Sequence, residues 1–369
     1  MLADTLARYI RQDYPLAARL AAGASASGFA PEKWQEMVDL GVLGALFDEV
    51  SGGFGGAGFD LMVVFQAFGD GLIVEPFLQS AILAGGVLAR AADDGQKQVL
   101  QALVAGEKRG ALAHFEAGDG WEAAHIGTRA EQTGGGWRLN GQKSVVRAAG
   151  SADFLIVSAR SSGEAGDAAG LSLFLLPADT AGVQVQDYQT IDGGRAADVM
   201  LKDVDLPPSA LVGVAGQGSA LLTEVLGRGV LCLSAEAIGL MDRIRDMTLD
   251  YLRNRKQFGL PIGKFQALQH RMATLVLEIE QARAAVINAA AHMDTPGVAR
   301  ERALSAAKFT VAEVGTLVLE EAIQMHGGMG MTWEYPLGHY AKRLSMIGHE
   351  MGDADFHLQR YISLGRAAA

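Results

Sequence analysis

Apolar residues recur at helical spacing toward both ends of this chain and at a spacing of two in its middle. In "PEKWQEMVDLGVLGAL" the apolar positions Trp34, Met37, Val38 and Val42 follow the helical period, and the leading proline suits a first helical turn. "DLMVVFQAFGDGLIVEPFLQSAILAGGVLARAADD" predicts two further helices, broken near Gly71 and Pro76. From about residue 108 the period changes. "WRLNGQKSVV" reads as a hairpin, with Asn140-Gly141 supplying the positive φ angles of a tight turn. "ADFLIVSAR", "GLSLFLLPA", "VQVQDY" and "AADVMLKDVDL" follow as short strands between Gly-, Ser- and Asp-rich turns. Several short strands with no long helix between them predict a small antiparallel barrel or sandwich.

From about residue 214 the helices return and are long. "SALLTEVLGRGVLCLSAEAIGLMDRIRDMTLDYLRNRKQ" carries an apolar stripe to a break at Phe258-Gly259-Leu260-Pro261. The next stretch places Leu268, Met272, Leu275, Ile279, Ala282 and Val286 on one face, and "ERALSAAKFTVAEVGTLVLEEAIQM" runs to His326 and stops at Gly327-Gly328. Four long amphipathic helices predict a bundle. The expected fold is mainly α with a β middle domain: a helical segment over 1–107, a β segment over 108–213 and a C-terminal four-helix bundle over 214–369.

A length of 369 residues agrees with two or three packed units, because single cores stop growing at roughly 250–300 residues. The formal charge of −11 makes the chain a poor ligand for a phosphate backbone, so no nucleic-acid partner is expected. The start "MLADTLARYIRQDYPLAARL" is an amphipathic helix without the basic and apolar regions of a signal peptide. The apolar run "PFLQSAILAGGVLA" is shorter than the roughly 20 residues that span a bilayer, so no membrane segment is expected. A single cysteine, Cys232, excludes an internal disulfide framework and fits a reducing compartment; its apolar neighbours mark a packed helix rather than a nucleophile. The expectation is a soluble cytoplasmic protein.

Two motifs invite chemistry at first sight. "GFGGAG", residues 53–58, matches the glycine fingerprint of dinucleotide-binding folds, but "LFDEVSG" before it is a poor buried strand and no alternating βαβ pattern follows, so it reads as an interhelical loop. "GHEMGDADFH", residues 348–357, gathers two histidines and three acids, yet lacks the H-E-x-x-H spacing of a metal site, and no metal is expected there.

In the last third, "YLRNRKQFGLPIGKFQALQHRMA" (251–273) and "QMHGGMGMTWEYPLGHYAKRL" (324–344) resemble the acyl-CoA dehydrogenase family. That family's helical, β, helical order agrees with the three segments above. The ending "GHYAKRLSMI…GDAD" is similar to small subunits of two-component bacterial enzymes of the pimeloyl-CoA dehydrogenase type. The resemblance implies FAD, an acyl-CoA thioester substrate, α,β-dehydrogenation initiated by a carboxylate base, and an electron-transferring flavoprotein as acceptor. It implies that Arg255 approaches the FAD pyrophosphate, a role suited to the charge-assisted, fixed geometry of a guanidinium. Phe258 and Gln266 would line the cofactor, and Gln324, Gly327 and Gly328 would receive it where a helix ends. In the family the ADP half lies on one chain and the flavin ring against the middle domain of its neighbour.

Other family positions differ. "LAHFEAGDG" puts Phe115 where the family has threonine, and "KSVVRAA" puts Val145 at its tryptophan and Arg147 at another threonine, with Arg147 expected as an exposed strand-end residue. The family's base position falls on Met351, and its alternative on Gly229 or Gly227. Glu350, one residue away, is the remaining candidate base, although on a regular helix it would point about 100° off. Three readings stay open. The chain completes the FAD site of a homologous large subunit, or it is a self-sufficient homo-oligomeric dehydrogenase using Glu350, or it is a non-redox acyl-CoA-binding homologue.

Overall fold

The computed structural model describes residues 2–118 and 120–367. Its helices are α1 (Leu2–Asp13), α2 (Leu16–Ala24), α3 (Pro31–Asp39), α4 (Val42–Leu46) and α5 (Gly58–Gly71), then π-helical turns over Leu78–Ala84 continuing into α6 (Gly85–Ala91), and α7 (Gln96–Val104). Strands β1 (Gly110–Ala113), β2 (Arg129–Thr133), β3 (Gly136–Arg147), β4 (Phe154–Arg160), β5 (Leu171–Pro177), β6 (Val183–Gln189), β7 (Arg195–Leu206) and β8 (Leu211–Val212) follow. The chain then forms α8 (Gly218–Asn254), a small hairpin of β9 (Lys256–Gln257) and β10 (Leu260–Pro261), and α9 (Gln266–His292), α10 (Val298–His326), α11 (Leu337–His349) and α12 (Ala354–Ala367). The helical, β, helical order is the one the periodicity predicts. Among the described residues no helix is long and apolar enough to cross a membrane.

The chain divides into two compact units. One comprises the chain up to Arg19, Ala57–Ile73 and Val230 onward; the other comprises Leu20–Gly56 and Val74–Gly229. In the second, the sheet runs β6-β7-β3-β2-β4-β5-β8, with β1 beside β4. It is mixed rather than antiparallel as the sequence suggests. β1 lies parallel to β4, Gly110 opposite Phe154 and Ala113 opposite Val157, because β2 and β3 form a crossover between them. Leu139, Leu155, Val157, Phe174, Leu176, Val199 and Val204 close a core in which the Trp137 and Phe174 rings meet edge to face at 5.3 Å.

Asn140-Gly141 is not a turn. β3 runs unbroken through it, and Thr133 pairs with Gly136, so Gly134-Gly135 make the hairpin loop. The β3–β7 register shifts between Leu139 and Gly141. The Asn140 side-chain amide donates to Asp203 Oδ1 at 3.2 Å and its oxygen accepts from the Asp203 N–H at 2.8 Å. A Cβ at Gly141 would collide with Thr128. The dipeptide that favours a turn serves equally at a bulge, where an extra residue must be accommodated between close strands.

The glycine-rich loop in this unit is occupied by its own helix. The N–H groups of Phe54, Gly55 and Gly56 donate to Gly44, Phe47 and Ala45 carbonyls at 2.8, 2.9 and 2.8 Å. A Cβ at Gly53 or Gly55 would run into that backbone. These glycines permit the loop to satisfy the orphan carbonyls at the end of α4; their donors are not available to a phosphate.

In the other unit α5 and α8 cross closely. A Cβ at Gly69 would collide with the Glu236 carbonyl oxygen, and one at Gly239 with that of Gln66. Met272, Leu275, Ile279, Ala282 and Val286 of α9 are buried along the predicted face, and Cys232 is fully buried on α8.

Candidate functional site

The two C-terminal motifs meet at one end of the helical unit. The Tyr251 ring, near the end of α8, stacks on His326 at the end of α10, with centroids 4.5 Å apart. His326 Nδ1–H donates to the Ala322 carbonyl at 2.8 Å, so Nε2 accepts from the Tyr335 hydroxyl at 3.2 Å. Burial lowers the His326 pKa and keeps the ring neutral in that arrangement. One turn beyond Tyr251, the Arg255 N–H donates to its carbonyl at 2.8 Å and the β9–β10 hairpin begins. Phe258 sits at the hairpin tip with φ 52° and is 91 % exposed; its ring meets Phe265 edge-on at 6.2 Å. Gln266 opens α9, whose N-terminus no side chain caps, leaving the positive end of the helix dipole exposed. Gly327, at φ 60°, ends α10, and a Cβ on Gly327 or Gly328 would meet nothing within 4 Å. Arg255, Phe258, Gln266, Gln324, Gly327 and Gly328 are all exposed. Arg255 lies one turn beyond Tyr251, and Gln324, Gly327 and Gly328 flank His326, whereas Phe258 and Gln266 lie farther along, on the hairpin and at the start of α9.

Glu350 has a different setting. It follows the last residue of α11, with extended backbone, and Met351 after it is left-handed at φ 53°. Arg343 Nη1 donates to Glu350 Oε1 at 2.6 Å. The same guanidinium binds Glu236 of α8 through both carboxylate oxygens, at 2.6 and 2.8 Å. The three side chains are only 8 to 14 % exposed. The turn is held from two further helices. Lys308 Nζ, on α10, donates to the Gly352 carbonyl at 2.7 Å, and His357 Nε2, on α12, to the Met351 carbonyl at 2.9 Å. Burial lowers the Lys308 pKa to about 8 against the opposing pull of Glu350 and Asp353, and burial also lowers that of His357 to about 4. Asp353 Oδ1 accepts the Phe356 N–H at 2.9 Å and caps α12. His357 is 2 % exposed and serves as an internal tie, its ring donating to the Met351 carbonyl.

In the β domain, Phe115 and the bulged end of β3 are neighbours. The Ser144 N–H donates to the Phe115 carbonyl at 2.8 Å. The β3–β7 register shifts again between Lys143 and Val146. Within that shift Val145 is left-handed at φ 54°, 57 % exposed, with its N–H on Asp198 Oδ1 at 3.1 Å. Positive φ is a strained setting for a β-branched residue. Arg147 is not the exposed arginine the sequence suggests: Nη2 donates to buried Asp192 Oδ2 at 2.9 Å, and its side chain is 14 % exposed. The carboxylate that captures it lies 45 residues away, beyond any local pattern. Fully buried Lys143 donates to Glu116 Oε1 at 2.6 Å, the His114 carbonyl at 3.0 Å and Ser158 Oγ at 3.1 Å. Burial would raise the Glu116 pKa, but Lys143, Thr128 and the Gly127 N–H outweigh it and lower it. Burial, helped by Lys143, keeps His114 neutral.

Sequence reasoning missed Glu236, Arg343 and Lys308. A lone acid inside the apolar run "LCLSAEAIGL" is the signal for Glu236, since a buried charge needs a partner, but the partner lies 107 residues away. Among the described residues no group of three or more His, Cys, Asp or Glu is placed to hold a metal ion.

Three family models match consecutive stretches: the acyl-CoA dehydrogenase N-terminal domain over residues 1–107, its middle domain over 111–204 and its C-terminal domain over 216–359. A probable acyl-CoA dehydrogenase of Bacillus subtilis, YngJ, is 28 % identical over 340 residues, 90 % of this chain and 89 % of its own. The ChsE4–ChsE5 complex of Mycobacterium tuberculosis contains a chain 26 % identical with a TM-score of 0.89, covering 100 % of this chain and 96 % of its own. The Tcur3481–Tcur3483 steroid ACAD, solved as a variant, contains one 30 % identical with a TM-score of 0.88, covering 100 % and 98 %. The chain belongs to the acyl-CoA dehydrogenase family.

Proposed function

We propose that this chain is the small subunit of a two-component acyl-CoA dehydrogenase that performs α,β-dehydrogenation of an acyl-CoA thioester. It lends the ADP-binding surface at the end of its helical unit to a homologous large subunit that carries the base and the flavin-ring site. The observation that carries this reading is the capture of Glu350. A general base must reach within about 2.6–3.2 Å of the proton it removes. Glu350 is instead held by Arg343, which is itself held twice by Glu236, and the neighbouring Met351 takes no proton. The pairing in the ChsE4–ChsE5 complex and in the Tcur3481–Tcur3483 enzyme is the precedent for a two-component arrangement.

The residues at the bundle end fit the cofactor's dinucleotide half. Arg255 would bind pyrophosphate oxygens beside the uncapped N-terminus of α9, a setting that favours anions. Open space at Gly327 and Gly328 lets the adenosine portion approach the backbone, with Gln324, Gln266 and Phe258 as flanking contacts. Bound FAD supplies the hydride acceptor, and an electron-transferring flavoprotein takes the electrons onward.

The reading is tested by purifying the chain alone and with its native partner, then measuring flavin content and oxidation of acyl-CoA thioesters, steroid-derived ones included. Activity and stoichiometric FAD are expected only in the pair, unaffected by Glu350→Gln. A yellow, active chain on its own that dies with Glu350→Gln would establish the self-sufficient enzyme instead. Acyl-CoA binding by a flavin-free pair would establish the non-redox homologue.

A further inference from the structure

We propose that the β domain of this chain closes the face beside its 144–147 bulge with its own aromatic pair, Phe115 and Trp121, so that no flavin ring stacks there. This rests on the partner-completed reading above and names its structural cause.

Three observations converge on the loop between β1 and β2. First, the Trp121 ring meets Phe115 edge to face with centroids 5.4 Å apart, and Phe115 meets His114 at 4.7 Å. An edge-to-face pair is a favoured aromatic arrangement that needs no third ring. Second, both ends of the loop are tied together. Glu116 at its start accepts the Gly127 N–H at 2.8 Å and the Thr128 N–H and hydroxyl at 3.0 and 2.6 Å at its finish. Third, the loop is pinned from beneath by a buried cation. Arg160, 1 % exposed on β4, donates to the carbonyls of Ala124, Ile126, Asp167 and Ala169 at 2.5, 3.3, 3.2 and 2.9 Å, and among the described residues no carboxylate pairs with it. A guanidinium desolvated without a counter-ion is costly unless its donors are satisfied, so those carbonyls must stay where they are.

The consequence reaches the bulge because the Phe115 carbonyl holds the Ser144 N–H. Displacing the Phe115 backbone would break that bond, and displacing its ring would break the contact with Trp121. Arg147, on the same stretch of strand, is turned to Asp192. Phe115 is thus engaged with Trp121, and Arg147 with Asp192.

The test uses the flavin-loaded assembly with its native partner, this chain labelled with 5-fluorotryptophan. Four tryptophans give separable fluorine resonances, and Trp121→Phe identifies one of them; Trp121→Tyr serves if that variant is poorly behaved. Ring-current shifts act only at short range. The Trp121 resonance is expected to stay unmoved when FAD is removed and when it is reduced. A shift or broadening in either case overturns the closure. Flavin content is measured in the same samples and separates the two claims. One FAD per pair of chains with a moving Trp121 resonance leaves the two-component reading standing and removes the closure. One FAD per chain with an unmoved resonance does the reverse.

Discussion

The Glu236–Arg343–Glu350 clamp predicts a large stability loss on Arg343→Met, partly restored by a second substitution. Arg343→Met removes three charge-assisted bonds of 2.6 to 2.8 Å and strands two carboxylates whose side chains are 8 and 14 % exposed. Breaking a buried pair from one side typically costs about 3–5 kcal/mol, because the remaining charge is left uncompensated. Here the Lys308 ammonium stays to oppose Glu350, so the stranded charge that matters is Glu236, and about 3–4 kcal/mol is expected on the scale of that principle. Against a total of roughly 5–15 kcal/mol this is a major loss. Urea unfolding of the purified chain followed by circular dichroism reads it as a shift in midpoint at unchanged slope. Arg343→Lys, a point cation that cannot bridge both carboxylates, should fall between. In Glu236→Met/Arg343→Met more than half the loss should return, since both members of the tighter pair are gone. A single-variant loss below about 1 kcal/mol, the range of exposed pairs, or a double variant worse than the single, would refute the clamp.

Other consequences are as direct. His357 has a folded pKa of about 4 against an ordinary 6.5, so the unfolded chain binds the proton first as pH falls; the stability present above pH 6.5 is lost progressively down to pH 4, by about 3 kcal/mol, and His357→Gln should flatten that acid limb in pH-dependent unfolding. Gly239→Ala places a Cβ against the Gln66 carbonyl and must push α5 from α8, at a cost of about 2 kcal/mol or more in the same assay; a neutral result would mean the crossing is looser than described. Val145→Gly relieves a left-handed β-branched residue that is 57 % exposed, and should be neutral or stabilising by up to about 1 kcal/mol. Arg255→Ala should lower FAD retention in the assembled protein by at least about tenfold while leaving unfolding unchanged, because its side chain is exposed; unaltered retention counts against the pyrophosphate role.

What the sequence determined by itself is whatever depends on a residue's immediate neighbours along the chain. Spacing near 3.6 or 2 states which face of a segment must leave water, so the helical, β, helical order and the buried stripe of α9 were legible in it. The stretches around Arg255 and Gly327-Gly328 were legible differently, as contiguous motifs that resemble the family to which the chain belongs. Tertiary structure decided which partner each polar group finds. Asn140-Gly141 has the chemistry of a turn, yet Asp203 on the facing strand makes it a bulge. Arg147 looks like an exposed strand end until Asp192 arrives from a distant turn. "GFGGAG" has the composition of a phosphate loop, but its donors are taken by α4. "GHEMGDADFH" offers several titratable groups, and whether Glu350 is available depends on Arg343 and on Glu236, 107 residues before that arginine. Burial is read locally because it is a property of one side chain and water. Pairing is not, because a buried charge or donor is satisfied by whichever complementary group the folded chain brings within about 3 Å.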